Sequence, residues 1–107
     1  MIPLARKEFE TLTPQMFYIL VALYKPRHGY EIMQEVSTIT NNQIQIGAGT
    51  LYALLPRFEN EGYIQLQKTF QQKKTYLITK KGKEKLLLEK ERMLKQIQIL
   101  EEQSYEI

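Results

Sequence analysis

The chain has 107 residues, a net charge of +3 and a pI near 9.1, the length of one domain with a modest excess of base. It has no cysteine, one histidine and no aspartate, and no serine precedes Ser37, so a disulfide framework, a thiolate metal site, a catalytic triad and a metal cluster are all excluded. Neither an enzyme nor a cofactor is expected, and the longest apolar run, Met16 to Tyr24 with nine residues, is too short to cross a bilayer.

Arg6 and Lys7 stand among glutamates with no apolar segment after them, unlike a signal peptide, so a soluble cytoplasmic protein is expected. Thr13 followed by Pro14 marks a helix start, a hydroxyl cap with proline in the first turn. That helix is expected to run to about Tyr24, where Pro26 ends it. Met16, Phe17, Ile19, Leu20, Val21 and Leu23 make it apolar on nearly every side, which asks for a partner chain against part of it. A second helix begins near His28 or Gly29 and turns Ile32, Met33, Val36 and Ile39 inward until Thr40-Asn41-Asn42 breaks it. His28, with Gly29 and Glu31, reads as part of a helix cap. Ile44 and Ile46 alternate with Gln45, and this piece is expected to form the minor third strand of a small sheet.

From Ala48 to Glu61, Leu51, Leu54, Leu55 and Phe58 fall at i, i+3, i+4 and i+7, an apolar face that packs inward. Thr50, Tyr52, Ala53, Arg57 and Asn60 then face outward, the small, hydrogen-bonding and cationic side chains that a major groove accepts. The free N–H groups at the start of this helix, at Ala48 and Gly49, suit a DNA phosphate. Gly47-Ala48-Gly49 lacks the further glycines and the lysine of a nucleotide-binding loop. Pro56 leaves the carbonyl of Tyr52 without its donor and is expected to kink the helix, and Gly62 stops it.

Tyr63 to Phe70 alternates, with Ile64, Leu66 and Phe70 on one face, and Thr75 to Thr79 repeats the pattern. Polar Gln71-Gln72-Lys73 between them makes a hairpin with a solvated tip. Residues 65 to 85 hold seven lysines and one glutamate, so the hairpin and the start of the last helix form the basic footprint. Lys68, Lys73 and Lys74, with Tyr30 and Tyr76, are expected to touch the DNA backbone. The last helix starts at Thr79 or Lys80 and reaches about Glu102, roughly 35 Å at the usual rise. Leu86, Met93, Ile97 and Leu100 form a stripe along it that has no partner within so short a chain and is assigned to dimerisation.

Helix, helix, hairpin is the order of a winged helix. Leu12-Thr13-Pro14, Pro26-Arg27-His28-Gly29-Tyr30-Glu31, Gly49-Thr50-Leu51-Tyr52 and Tyr76-Leu77-Ile78-Thr79 leading to Gly82 together resemble the transcriptional regulators of the PadR family, over roughly Leu12 to Lys85. The expected fold is mainly α with a small β-hairpin, an α+β class: a winged helix-turn-helix over residues 1–79 and a long dimerisation helix over 80–107. The resemblance implies a bacterial homodimer, its last helix packed on the partner's first, that binds a pseudo-palindromic operator on double-stranded DNA and usually represses nearby genes. One terminal helix resembles the shorter branch of the family, in which small aromatic or drug-like effectors bind at the dimer interface; Phe9, Met16, Met93 and Ile97 are the lining residues this implies. Ala53 stands where the family often has proline. The competing reading is a winged-helix protein-interaction module without sequence-specific DNA binding.

Overall fold

In the computed structural model, which describes residues 11–103, Thr13 opens the first helix, α1 (Pro14–Ala22), and its hydroxyl accepts the Met16 N–H at 3.2 Å. The helix ends two residues short of the expected Tyr24. Leu23 and Tyr24 donate to Leu20 and Val21 carbonyls at 3.1 and 3.2 Å, the tightened bonding of a last turn. Arg27–His28 then form a short strand, β1, and α2 (Gly29–Ile39) follows directly. The Glu31 carboxylate accepts the His28 N–H at 3.0 Å and lies 3.4 Å from His28 Nε2, so it caps the start of α2. Ile32 and Val36 are fully buried and Met33 partly so, whereas Ile39, expected inward, is exposed. It is the last residue of α2, and the chain turns away there through Asn41 and Asn42, both left-handed at φ 52° and 65°.

Helix α3 (Ala48–Glu61) buries Leu51, Leu54, Leu55 and Phe58 on the expected face. Gly62 ends it at φ 81°, and the N–H groups of Gly62 and Tyr63 return to Glu59 and Phe58 carbonyls at 2.9 Å. The strands β2 (Ile64–Phe70) and β3 (Lys73–Ile78) form the hairpin, and the sheet order is β1-β3-β2, all antiparallel.

Two expectations about this sheet need correction. Its third strand is Arg27–His28, which pairs Arg27 with Tyr76 and His28 with Thr75, not the segment Ile44 to Ile46. The backbone of Ile44 is satisfied locally instead: its N–H donates to the Thr40 hydroxyl at 3.1 Å and its carbonyl accepts from that hydroxyl at 3.3 Å. Ile46 goes into the core. In β2, Ile64 is buried but Leu66 and Phe70 are exposed. A bulge between Leu66 and Lys68 shifts the register and with it the phase of alternation. Paired residues share a face, so Leu66 sides with Tyr76 and Thr69 with Lys74, while Lys68 sides with Thr75 and Phe70 with Lys73. Phe70 thus leaves the face that Ile64 and Leu66 share. The tip is the pair Gln71-Gln72, both left-handed at φ 50° and 66°, and Lys73 already belongs to β3.

Helix α4 (Lys80–Glu101) starts on Thr79, whose hydroxyl accepts the Gly82 N–H at 3.1 Å and donates to the Gly62 carbonyl at 2.5 Å, joining the end of α3 to the start of α4. Gly82, Leu86 and Glu89 are its buried residues. Glu89 is 3% exposed and fully engaged: Oε1 accepts the Leu12 N–H at 3.2 Å and Oε2 takes Arg92 Nη2 at 2.6 Å, with Lys85 Nζ 3.8 Å from Oε1. Such a pairing is what a buried carboxylate requires, and it ties the segment before α1 to α4. Beyond it, Leu94, Ile97 and Leu100 are exposed. Among the described residues no helix is long and apolar enough to cross a membrane.

Candidate nucleic-acid interface

The outward face of α3 carries Ala48, Gly49, Thr50, Tyr52, Ala53, Arg57 and Asn60, all exposed. Gly47 precedes the helix without a side-chain acceptor, so nothing on that residue covers the first-turn N–H groups. These groups and the helix dipole offer a positive end to an anion. Helix assignment is unbroken through Pro56, whose exposed position puts the carbonyl of Tyr52, which loses its i+4 donor, on the solvent side.

Tyr52 joins the two central motifs. It lies so close to Gly29, at the start of α2, that a Cβ on Gly29 would sit 2.7 Å from Tyr52 Cζ and nearer still to its hydroxyl. Glycine is therefore required by a close approach rather than by backbone conformation. Tyr30 and Tyr52 are 61% and 56% exposed and flank this contact, ready to meet a partner. Tyr76, expected on the DNA backbone, is instead buried in the sheet at 6% exposure. Burial first, then the Glu59 carboxylate and Tyr52, push its phenol above the ordinary value of 10.0, so it stays protonated and donates.

On the hairpin, Lys68, Lys73 and Lys74 are all exposed. Alternation along β3 divides them: Lys74 lies on the Tyr76 face, toward α3, whereas Lys73 and Lys68 share the opposite face with Phe70. Not all of the expected basic footprint is as open. Lys81 Nζ lies 5.7 Å from the Tyr63 ring centroid and Lys83 Nζ 5.2 Å from that of Tyr24, cation–π positions on the domain's own surface. Arg27 is structural, donating to the Ala22 carbonyl at 2.7 Å and pairing with Glu35 at 3.4 Å.

The structure thus brings Tyr30, Tyr52, Lys73 and Lys74 around one cleft, together with His28, Pro56 and Gln72, which sequence reasoning did not place there. The glycine of the His28-Gly29-Tyr30 motif was the available signal. Arg57 lies late in α3, away from that cluster, and Lys68 lies on the far face of the wing. Of the implied effector-lining residues, Met16 and Met93 are half-buried and Ile97 is exposed; Phe9 lies outside the described residues. Among the described residues no group of histidine or glutamate side chains could hold a metal ion.

Residues 18–88 match the transcriptional regulator PadR-like family. The chain belongs to that family. As a PadR-like transcriptional regulator it is a DNA-binding protein and not an enzyme. Its fold is similar to that of a transcriptional regulator from Clostridium thermocellum, with a TM-score of 0.69 and 25% identity over 79% of this chain and 87% of that one. RosR of H. salinarum has a similar fold, with a TM-score of 0.67 and 23% identity over 81% and 78% of the two chains. An uncharacterized protein of Lysinibacillus sphaericus is 51% identical over 43 residues, 40% of this chain and 39% of that relative.

Proposed function

We propose that this PadR-like regulator is a cytoplasmic repressor that binds a pseudo-palindromic operator as a homodimer. The carrying observation is the exposed polar front of α3 beside a lysine-bearing wing. Each protomer lays the start of α3 in a major groove, and two such helices about 34 Å apart read successive turns of one duplex face. Thr50, Tyr52 and Ala53 face the bases, and Arg57 meets a guanine or a phosphate at the groove edge. Backbone N–H groups at Ala48 and Gly49, with Tyr30, Lys68, Lys73 and Lys74, hold phosphates and set register without reading sequence. Buried Tyr76 supports Lys74 from behind, and residues 80–107 supply the dimerisation helix. A small aromatic or drug-like effector releases the operator.

Fluorescence anisotropy of the purified chain on the duplex upstream of its own gene, over a salt series, tests this reading. The expected result is sequence-preferring binding that Lys73→Ala/Lys74→Ala weakens on every duplex while lowering the salt slope by about 2, one for each phosphate no longer neutralised. Tyr52→Ala should weaken the operator more than a random duplex. Salt-insensitive or absent binding to every duplex would favour the protein-interaction module.

A further inference from the structure

The wing and α3 do not close on each other: a half-open cleft of about 660 Å³ separates them, within the roughly 300–1,000 Å³ typical of small-molecule sites. Tyr76 and Pro56 contribute to its floor, Tyr30 and Tyr52 to its walls, and Lys73 and Lys74 to its rim. Phenol rings present flat apolar faces with a polar edge, which suit another planar ring. The rim is cationic and no carboxylate lines the cleft. The nearby acids have other engagements: Glu31 caps α2 at His28, and Glu59 acts on the Tyr76 phenol from the helix side. Charge and shape therefore select the same ligand chemistry.

We infer that this cleft binds a planar aromatic carboxylate, its ring between Tyr30 and Tyr52 and its carboxylate at Lys73 and Lys74. The consequence for regulation rests on the proposed DNA reading, because that reading gives the same four side chains to the duplex. Ligand and operator then exclude each other directly, on the DNA-facing side of the wing. A site at Met93 and Ile97 on α4 would have to act through the dimer instead.

The probes are 2-naphthoate and neutral 2-naphthamide, titrated into the ¹⁵N-labelled full chain without DNA and followed by amide chemical shifts. Saturable shifts at Gly29, Tyr30, Tyr52 and Lys74 are expected, with naphthamide about tenfold weaker for want of the charge-assisted contact. Lys73→Gln/Lys74→Gln should bring naphthoate down to the naphthamide level, and Tyr30→Ala should weaken both; all three positions are exposed, so the fold survives. Shifts centred on Met93 and Ile97, equal affinity for the two probes, or no saturation would overturn the site. With duplex present, naphthoate should raise the apparent operator Kd in proportion to its concentration. If the cleft takes naphthoate while the chain ignores every duplex, the ligand site stands and the DNA reading fails.

Discussion

Gly29 and Tyr52 show how one missing methyl group fixes the geometry of the interface. A Cβ at Gly29 would strike the Tyr52 ring, 2.7 Å from Cζ, so Gly29→Ala must push that ring outward or shift the start of α2. Overpacking of this kind costs about 1–3 kcal/mol. Denaturant unfolding of Gly29→Ala, Tyr52→Ala and the double variant separates this from a loss of glycine flexibility. If the close approach is the cause, the alanine is nearly harmless once the ring is gone, and the coupling energy recovers most of the single-variant destabilisation. An unchanged cost in the Tyr52→Ala background would assign the glycine to the backbone instead.

At the level of elements, the wing depends on two left-handed residues that are both glutamine, Gln71 at φ 50° and Gln72 at φ 66°. Two-residue hairpin tips of this handedness favour Asn-Gly, since glutamine has no local hydrogen bond and no steric exemption to offset positive φ. Gln71→Asn/Gln72→Gly should therefore stabilise the domain by about 0.5–1 kcal/mol, seen as a higher denaturant midpoint at an unchanged slope. No gain would mean that the tip does not hold this turn in solution. The contrast explains what could be read from sequence. Helix limits at Thr13-Pro14, Gly62 and Thr79 were legible because caps act within a few residues, and the faces of α3 because periodicity is local. The pairing of Arg27 with Tyr76 was not, since it joins distant segments and leaves no mark on the two-residue strand itself. Nor was the bulge at Leu66/Lys68, which turns Phe70 to the Lys73 face without disturbing the alternation of residue types. For the site, the tyrosines and lysines were legible as residue types, but the contact that gathers Tyr52 over Gly29 is tertiary.

For the whole molecule, α4 decides whether one recognition helix or two meet the duplex. The face that it buries first with Gly82, Leu86 and Glu89 continues along the same side as Met93, Ile97 and Leu100, past the end of the domain that covers it. Ile97 and Leu100 are 53% and 67% exposed in the single protomer, on a helix anchored at its base by buried Glu89 to Leu12 and Arg92. A rigid apolar stripe held clear of its own domain is suited to a second copy, and burying each such side chain contributes about 1.5–3 kcal/mol. Ile97→Glu/Leu100→Glu places charge on that stripe without touching the core. Sedimentation should show the dimer Kd raised at least about 100-fold, equivalent to roughly 2.8 kcal/mol, with the helical circular dichroism of the domain retained. Operator binding should fall to the level of one half-site while the salt slope is halved, because a single protomer neutralises half as many phosphates. A variant that stays dimeric at micromolar concentration would place the subunit contact elsewhere, and one that turns monomeric yet keeps full operator affinity would remove the two-helix reading of DNA.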